Sequence, residues 1–113
     1  FSELSPRPHD TGMVTMFTQN FSQFDIHARV LLGMPLPDIK INQPGASHVI
    51  LAEENASGDY IIEGLEEALE DKNVDYRIFG KPFLKSYRRM GVVLAPSLDQ
   101  AKKAAKKIFV KAK

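Results

Sequence analysis

The chain has 113 residues, 43% of them hydrophobic, and it contains no cysteine. This length can bury one modest core, and the lack of cysteine excludes disulfides and thiolate metal sites. Because it contains neither a run of eighteen apolar residues nor a charged-then-apolar leader, the sequence predicts no membrane span and no signal peptide. The composition is typical of a cytoplasmic protein. Phe1 stands where a start methionine is expected, which predicts that the chain is cut from a longer one.

The net charge of +1 conceals an asymmetry along the chain. Residues 1–80 carry five Lys or Arg against thirteen Asp or Glu, a net charge of −8, while residues 81–113 carry ten against one, a net charge of +9. A basic segment of this kind can bind phosphate or nucleic acid. However, the spacing of apolar residues after Ser97 predicts a helix whose lysines form its solvated face, and no aromatic residue interleaves them. These lysines are Lys102, Lys103, Lys106 and Lys107.

The first twelve residues pack charged side chains around two prolines, Pro6 and Pro8. Proline fixes φ and removes a backbone donor, so the segment is predicted to be extended and stiff. A rigid polar loop makes a poor core element but can hold a metal, a phosphate or an amine. Its candidate site residues are Glu3, Arg7, His9 and Asp10.

A helix is predicted to begin at Ser22, with Asp25 completing a capping box, and to end at Gly33. If the sheet that it would cover lies upstream, its apolar stripe becomes an exposed patch. Three prolines follow within ten residues and predict an extended connector, where we place a domain boundary at residue 44. The pattern after residue 44 predicts strands over 47–52, 74–78, 90–95 and 108–110. It also predicts a helix that includes Ile61 and Ile62, and a helix from Ser97 with Gln100 completing a capping box.

A second cluster of site candidates lies between the strands predicted over 74–78 and 90–95. Lys81 follows a glycine, and the adjacent Arg88 and Arg89 precede a strand. Lysine supplies a point charge and arginine a fork of donors, so the loop is a candidate phosphate clamp. Paired arginines beside a turn are also common as plain surface charges. Adjacent residues on a strand face opposite sides, so both arginines reach one ligand only if the strand begins after Arg88.

These motifs resemble one known family. The segment from Phe1 to Thr15, the helix beginning at Ser22, and the Phe79-Gly-Lys-Pro and Arg88-Arg89-Met-Gly-Val runs are similar to formate-dependent phosphoribosylglycinamide formyltransferase, an ATP-grasp enzyme of purine synthesis. The resemblance covers most of the chain in order. It implies an α+β fold in which residues 1–44 are the tail of an ATP-grasp domain and residues 45–113 are a small C-terminal, β-rich domain with helices.

The resemblance also implies roles for particular residues. It implies that the family's reaction joins formate to glycinamide ribonucleotide with ATP, through formyl phosphate, with Mg²⁺ as cofactor. Glu3 matches a magnesium-binding carboxylate and Arg7 a catalytic cation near the transferred phosphate. Asp10, Lys81, Arg88 and Arg89 match residues that bind glycinamide ribonucleotide. For His9 we expect a hydrogen bond that orients Asp10, and for Ser5 a metal role is doubtful. The family further implies a homodimer that needs neither nucleic acid nor a membrane.

Two alternatives remain open at this point. The ATPase subunit of aminoimidazole ribonucleotide carboxylase has a similar motif but usually carries asparagine and serine where this chain has Asp10 and Thr11. The chain could also be a non-catalytic module that binds phosphate or nucleic acid through its basic end. No glycine-rich phosphate loop is present. We therefore expect these 113 residues alone to be inactive, because the nucleotide pocket would lie upstream.

Overall fold

A computed structural model describes the chain from Phe1 to Lys113. A 3-10 helix, Asp10–Val14, leads directly into the short helix α1. Helices and short strands are mixed along the chain, which gives the α+β composition expected from the sequence. They are α1 (Thr15–Thr18), α2 (Gln23–Leu31), β1 (Ala46–Leu51), β2 (Tyr60–Glu63), α3 (Leu65–Ala68), β3 (Asp75–Ile78), β4 (Arg89–Ala95), α4 (Leu98–Ala105) and β5 (Phe109–Ala112).

Helix α2 begins where the capping signal predicted. The Ser22 hydroxyl accepts from the Asp25 backbone N–H, and the Asp25 carboxylate accepts from the Ser22 backbone N–H, which is a complete capping box. The Ser22 backbone N–H and the Ser22 hydroxyl both donate to the Asp25 carboxylate, and these two hydrogen bonds hold the pKa of Asp25 below its usual range. The helix ends before Gly33, which has a φ of +65°. The two ends of α2 are therefore determined by local sequence.

The proline-rich connector is extended, as predicted, and it lies along α1. Asn20 pairs with it twice, since its side chain donates to the Asp38 carbonyl and accepts from the Lys40 N–H, both at 2.9 Å. The Gln43 side chain donates to the Phe17 carbonyl at 2.8 Å. A set of apolar side chains on α2 and this connector is nevertheless exposed: Val30, Leu31, Leu32, Leu36 and Ile41.

Strand β4 is the centre of the main sheet. It pairs antiparallel with β1 on one side and with β3 on the other. Every residue from Met90 to Ala95 is buried, as expected for a central strand covered on both faces. Helix α4 packs against the sheet through its buried alanines, Ala101 and Ala104. A second sheet, formed by β2 and β5, completes the core.

The predicted helix through Ile61 and Ile62 is wrong. Both residues lie in β2, where Ile61 pairs with Lys111 and Ile62 with Val110 of β5. The helical spacing of the apolar residues is outweighed here by pairing with a strand that is distant in sequence. Isoleucine is β-branched and therefore favours a strand. Gly64 follows in a left-handed conformation, and only Leu65–Ala68 is helical.

Helix α4 confirms its predicted start but not its capping box. The Ser97 hydroxyl accepts from the Gln100 backbone N–H at 3.3 Å, while the Gln100 side chain contacts the Ser97 hydroxyl and Asp71 instead of the Ser97 N–H. Lys102, Lys103 and Lys106 are exposed, as predicted for a solvated face. No helix of the chain has the length and apolar character needed to cross a membrane.

We expect Gly64→Ala to lower the free energy of unfolding by about 3 kcal/mol, measured by urea denaturation. A left-handed backbone costs a residue with a Cβ roughly 1 to 2 kcal/mol, and an added methyl would also lie 1.7 Å from the Lys107 carbonyl oxygen. Gly58→Ala is the matched control, since Gly58 has a φ of +83° with no atom within 4 Å of the new Cβ. Equal losses in the two variants would contradict the role given to the Lys107 contact.

Candidate active site

An open cavity of about 660 Å³ lies between the N-terminal segment and the edge of the main sheet. Its volume is in the range of small-molecule sites. The cavity brings together six of the seven candidate site residues that the sequence singled out, although they lie up to 86 positions apart. These six are Glu3, Arg7, His9, Asp10, Lys81 and Arg89, and the other lining residues are Thr11, Met13, Phe24 and Phe79.

Asp10 is placed by the 3-10 helix that it begins. Gly12 donates its N–H to the His9 carbonyl at 2.9 Å, which closes the turn around Asp10. Thr15 then connects this turn to α2, because its hydroxyl donates to the Gly12 carbonyl and accepts from the Gln23 N–H. The position of the Asp10 carboxylate therefore depends on the start of α2.

Asp10 and Arg89 form an ion pair across the cavity. Nη1 of Arg89 donates to both carboxylate oxygens of Asp10, at 3.0 and 2.9 Å. Partial burial alone would raise the pKa of Asp10, but the hydrogen bond and the charge of Arg89, assisted by His9, hold that pKa below its usual range. Arg89 is the first residue of β4 and precedes the buried Met90, so its backbone is fixed.

His9 lies between the two acidic side chains of the N-terminal segment. Its Nε2 is 3.0 Å from Oε1 of Glu3, and its Nδ1 is 3.4 Å from Oδ1 of Asp10. Thr11 Oγ1 is closer to Nδ1, at 2.8 Å. The sequence drew attention to His9 as a partner of Asp10, but its shorter contacts are with Glu3 and Thr11.

Arg7 has no carboxylate partner. Its Nη1 donates to the neighbouring Pro8 carbonyl at 3.3 Å, and the Ser5 hydroxyl donates to the carbonyl of Arg7 at 2.8 Å. These local hydrogen bonds shape the loop without neutralising the guanidinium. The cavity wall therefore carries one arginine whose charge is available to an anion.

The basic loop is docked on the C-terminal sheet by two residues outside the predicted motifs. The Tyr60 hydroxyl donates to the Lys81 carbonyl at 2.7 Å, which fixes the backbone from which the lysine side chain extends. Leu84 is buried, and its N–H donates to the Gly58 carbonyl at 2.8 Å. Sequence reasoning missed Tyr60, because nothing local connects a strand residue to a loop 21 positions later.

Arg88 is not among the residues that line the cavity. Its Nη1 donates to the Phe83 carbonyl at 2.9 Å, and its guanidinium carbon lies 5.2 Å from the centre of the Phe83 ring. Tyr87 before it has a φ of +54°, so the chain turns sharply just ahead of β4. Of the two adjacent arginines, only Arg89 points toward Asp10 in this conformation.

Glu3 is the carboxylate that the sequence assigns to a magnesium ion. No group of three or more His, Asp or Glu side chains able to hold a metal exists in the chain. Glu3 has a half-exposed carboxylate whose Oε1 lies 3.0 Å from Nε2 of His9. Magnesium usually takes one or two protein carboxylates together with phosphates and water. Glu3 could therefore supply one carboxylate to such an ion, and the chain does not by itself complete a metal site.

Known proteins are similar to this chain in sequence and in fold. Residues 1–24 match the family described as "ATP-grasp domain". A solved structure of N5-carboxyaminoimidazole ribonucleotide synthetase from Thermotoga maritima superposes on 96% of this chain and 32% of its own, with a TM-score of 0.89 and 30% sequence identity. The chain thus shares its fold with part of this synthetase, and its first residues match an ATP-grasp domain.

Residues 45–111 match the family described as "PurT, C-terminal", and the chain belongs to this family. Two curated relatives are named formate-dependent phosphoribosylglycinamide formyltransferase. The one from Syntrophotalea carbinolica is 52% identical over 93% of this chain and 27% of its own length. The one from Chlorobium phaeobacteroides is 59% identical over 84% of this chain and 24% of its own length. The chain therefore spans about a quarter of the length of these relatives.

We expect Asp10→Asn to reduce the free energy of unfolding near neutral pH by up to about 1 kcal/mol, because the ion pair with Arg89 is partly exposed. The pKa of Asp10 is lowered by folding, so this contribution is present above the ordinary pKa of 3.8 and is lost as pH falls through the lower folded-state value. Urea denaturation at several pH values should show the wild type and Asp10→Asn converging in stability as pH falls below 3.8.

A matched comparison uses Arg89→Gln and the double variant. If the ion pair carries the effect, the losses of the two single variants will not add in the double variant. A difference between wild type and Asp10→Asn that stays constant across the acid range would contradict the assignment to the ion pair.

Proposed function

We propose that this chain is the C-terminal part of an enzyme that formylates glycinamide ribonucleotide with formate and ATP. The observation that carries the proposal is the cavity in which Asp10 faces a cationic wall of Lys81 and Arg89. A carboxylate suits an amine-bearing substrate, while the two cations suit its phosphate. The names of the curated relatives support the same substrate.

In this proposal the residues of the N-terminal segment serve the reacting groups. Arg7, which has no carboxylate partner, stabilises negative charge on the transferred phosphate and on the formyl phosphate that formate and ATP produce. Glu3 is one carboxylate ligand of Mg²⁺, which offsets the charge of the ATP phosphates when bound. Both roles are electrostatic, so neither residue exchanges a proton with the substrate.

The substrate also replaces contacts within the protein. Asp10 and Arg89 neutralise each other, and the substrate amine and phosphate take over these partners on binding. Arg88 joins the phosphate only after its guanidinium leaves the Phe83 carbonyl. Lys81 needs no such exchange, because Tyr60 holds its backbone and not its ammonium group.

The division of the chain belongs to the same proposal. Residues 1–44 form the tail of an ATP-grasp domain, and residues 45–113 form a separate small domain. The extended connector and the stretch matched by the C-terminal family support a boundary near residue 44. The complete protein is proposed to be a cytoplasmic homodimer that acts without nucleic acid or a membrane.

A second candidate is the carboxylation of aminoimidazole ribonucleotide, because the similar Thermotoga maritima structure is named a synthetase of its N5-carboxylated product. The two reactions share ATP and a phosphoribosyl amine but differ in the one-carbon substrate. The 52 and 59% identities to the formyltransferases exceed the 30% identity to the synthetase and favour formate.

The proposal is tested by assaying the full-length protein for ATP-dependent turnover with each substrate pair. We expect formylation of glycinamide ribonucleotide with formate, and preference for aminoimidazole ribonucleotide with bicarbonate would overturn it. Arg89→Ala should raise the KM for the ribonucleotide by roughly tenfold or more, since it removes a charged hydrogen-bond donor. Lys103→Ala on the exposed face of α4 is the control and should leave KM unchanged. The 113-residue chain alone should show no turnover.

We expect Tyr60→Phe to raise the KM for the ribonucleotide about two- to tenfold with little change in kcat, because one neutral hydrogen bond to the Lys81 backbone is lost. Tyr76→Phe is the matched control, since the Tyr76 hydroxyl makes no hydrogen bond within the chain. Steady-state kinetics of the full-length variants measure both parameters. The same rise in both variants would show that Tyr60 does not act through Lys81.

A further inference from the structure

Strand β3 lies at the edge of the main sheet, and one side of its backbone has no partner strand. It pairs along its whole length with β4 alone. Phe79, just after β3, donates its N–H to the Met90 carbonyl at 2.9 Å, so its backbone faces β4. Because successive residues of an antiparallel ladder alternate in direction, the backbones of Arg77 and Asp75 face β4 as well. The N–H and C=O of Tyr76 therefore point away from the sheet.

Neighbouring side chains occupy both of these outward backbone groups. Oδ1 of Asp75 accepts from the Tyr76 N–H at 2.8 Å, and Nη1 of Arg77 donates to the Tyr76 carbonyl at 2.7 Å. The same Nη1 donates to Oδ2 of Asp75 at 2.7 Å, which joins the two side chains along the edge. Tyr76 thus has its backbone hydrogen bonds without a partner strand. The side chains of Asp75 and Arg77 together form an edge cap.

The segment that carries the edge cap is otherwise well suited to strand pairing. Residues 74–79 have the sequence Val-Asp-Tyr-Arg-Ile-Phe, with four β-branched or aromatic residues and neither glycine nor proline. Windows of this kind pair readily edge to edge when they carry little charge. The two charges of this window belong to Asp75 and Arg77. Removal of both would leave an uncharged strand with free backbone groups at the edge of the sheet.

We propose that the edge cap keeps the edge of β3 closed to β3 of a second copy of the protein. In an antiparallel pair of β3 strands centred on Tyr76, the two Tyr76 residues would exchange both of their backbone hydrogen bonds. These are the groups that Asp75 and Arg77 occupy in each copy. The ion pair itself contributes little to folding stability, because Asp75 is 50% and Arg77 40% exposed. Its removal should therefore change association more than stability.

The ion pair between Glu63 and Lys111 provides a matched control for the edge cap. Its nitrogen–oxygen distance is also 2.7 Å, and its carboxylate and amine side chains are likewise 50 and 40% exposed. Glu63 and Lys111 bond to each other through their side chains and to no backbone group. Replacing either pair with two alanines removes one positive and one negative charge, so the net charge is the same in both double variants. The variants differ in whether capped backbone groups are released.

Sedimentation velocity of the full-length protein over a range of concentrations measures association, and circular dichroism confirms that each variant is folded. We expect Asp75→Ala/Arg77→Ala to raise the constant for association into species larger than the wild-type one by about tenfold or more, since two hydrogen bonds per copy no longer compete with strand pairing. Each single variant releases one backbone group and should show a smaller rise. Glu63→Ala/Lys111→Ala should sediment as the wild type does.

Hydrogen exchange locates the new contact. In Asp75→Ala/Arg77→Ala the peptide covering residues 74–79 should exchange more slowly as the protein concentration rises, because the Tyr76 N–H then pairs with the second copy. Sedimentation unchanged from wild type, or association without slower exchange in this peptide, would overturn the proposal. Equal association of the control variant would do the same. Dissociation of a wild-type oligomer in Asp75→Ala/Arg77→Ala would also overturn it, because the two side chains would then hold copies together.

Discussion

The burial of β4 between two partner strands is the constraint on which the site depends. With β1 on one side and β3 on the other, the strand from Met90 to Ala95 cannot shift its register without exposing the core. Arg89 therefore leaves the sheet at a fixed point, and its pairing with Asp10 places the N-terminal segment relative to that point. A polar loop with little structure of its own is thus tied to a distant strand that is apolar after its first residue.

The charge asymmetry along the chain has two separate meanings in the structure. The lysines of α4 are solvated and lie away from its buried alanines, which pack against the sheet. Lys81 and Arg89, by contrast, face the acidic N-terminal segment across the cavity. The same residue types thus face solvent in one place and the cavity in the other, and only their position relative to the sheet distinguishes them.

The sequence predicts the parts of this fold that local signals determine. Ser22 and Ser97 cap helices as their hydroxyls indicate, and the apolar run of β4 is a central strand. Prediction fails at Ile62, because its partner Val110 is remote in sequence. In the site, charge and motif select six of the lining residues. The contact of His9 with Glu3 and the orientation of Arg88 depend on loop geometry, including the positive φ of Tyr87, and sequence patterns do not encode such detail.

The distance along the chain between Asp10 and Arg89 has a consequence for how the protein is made. The two residues are 79 positions apart, so their contact is of high contact order and forms late. At about 5 to 20 residues per second, Asp10 is synthesised on the order of ten seconds before its partner. Throughout that interval the cavity has only one wall. The cavity is therefore complete only after translation has passed the start of the central strand.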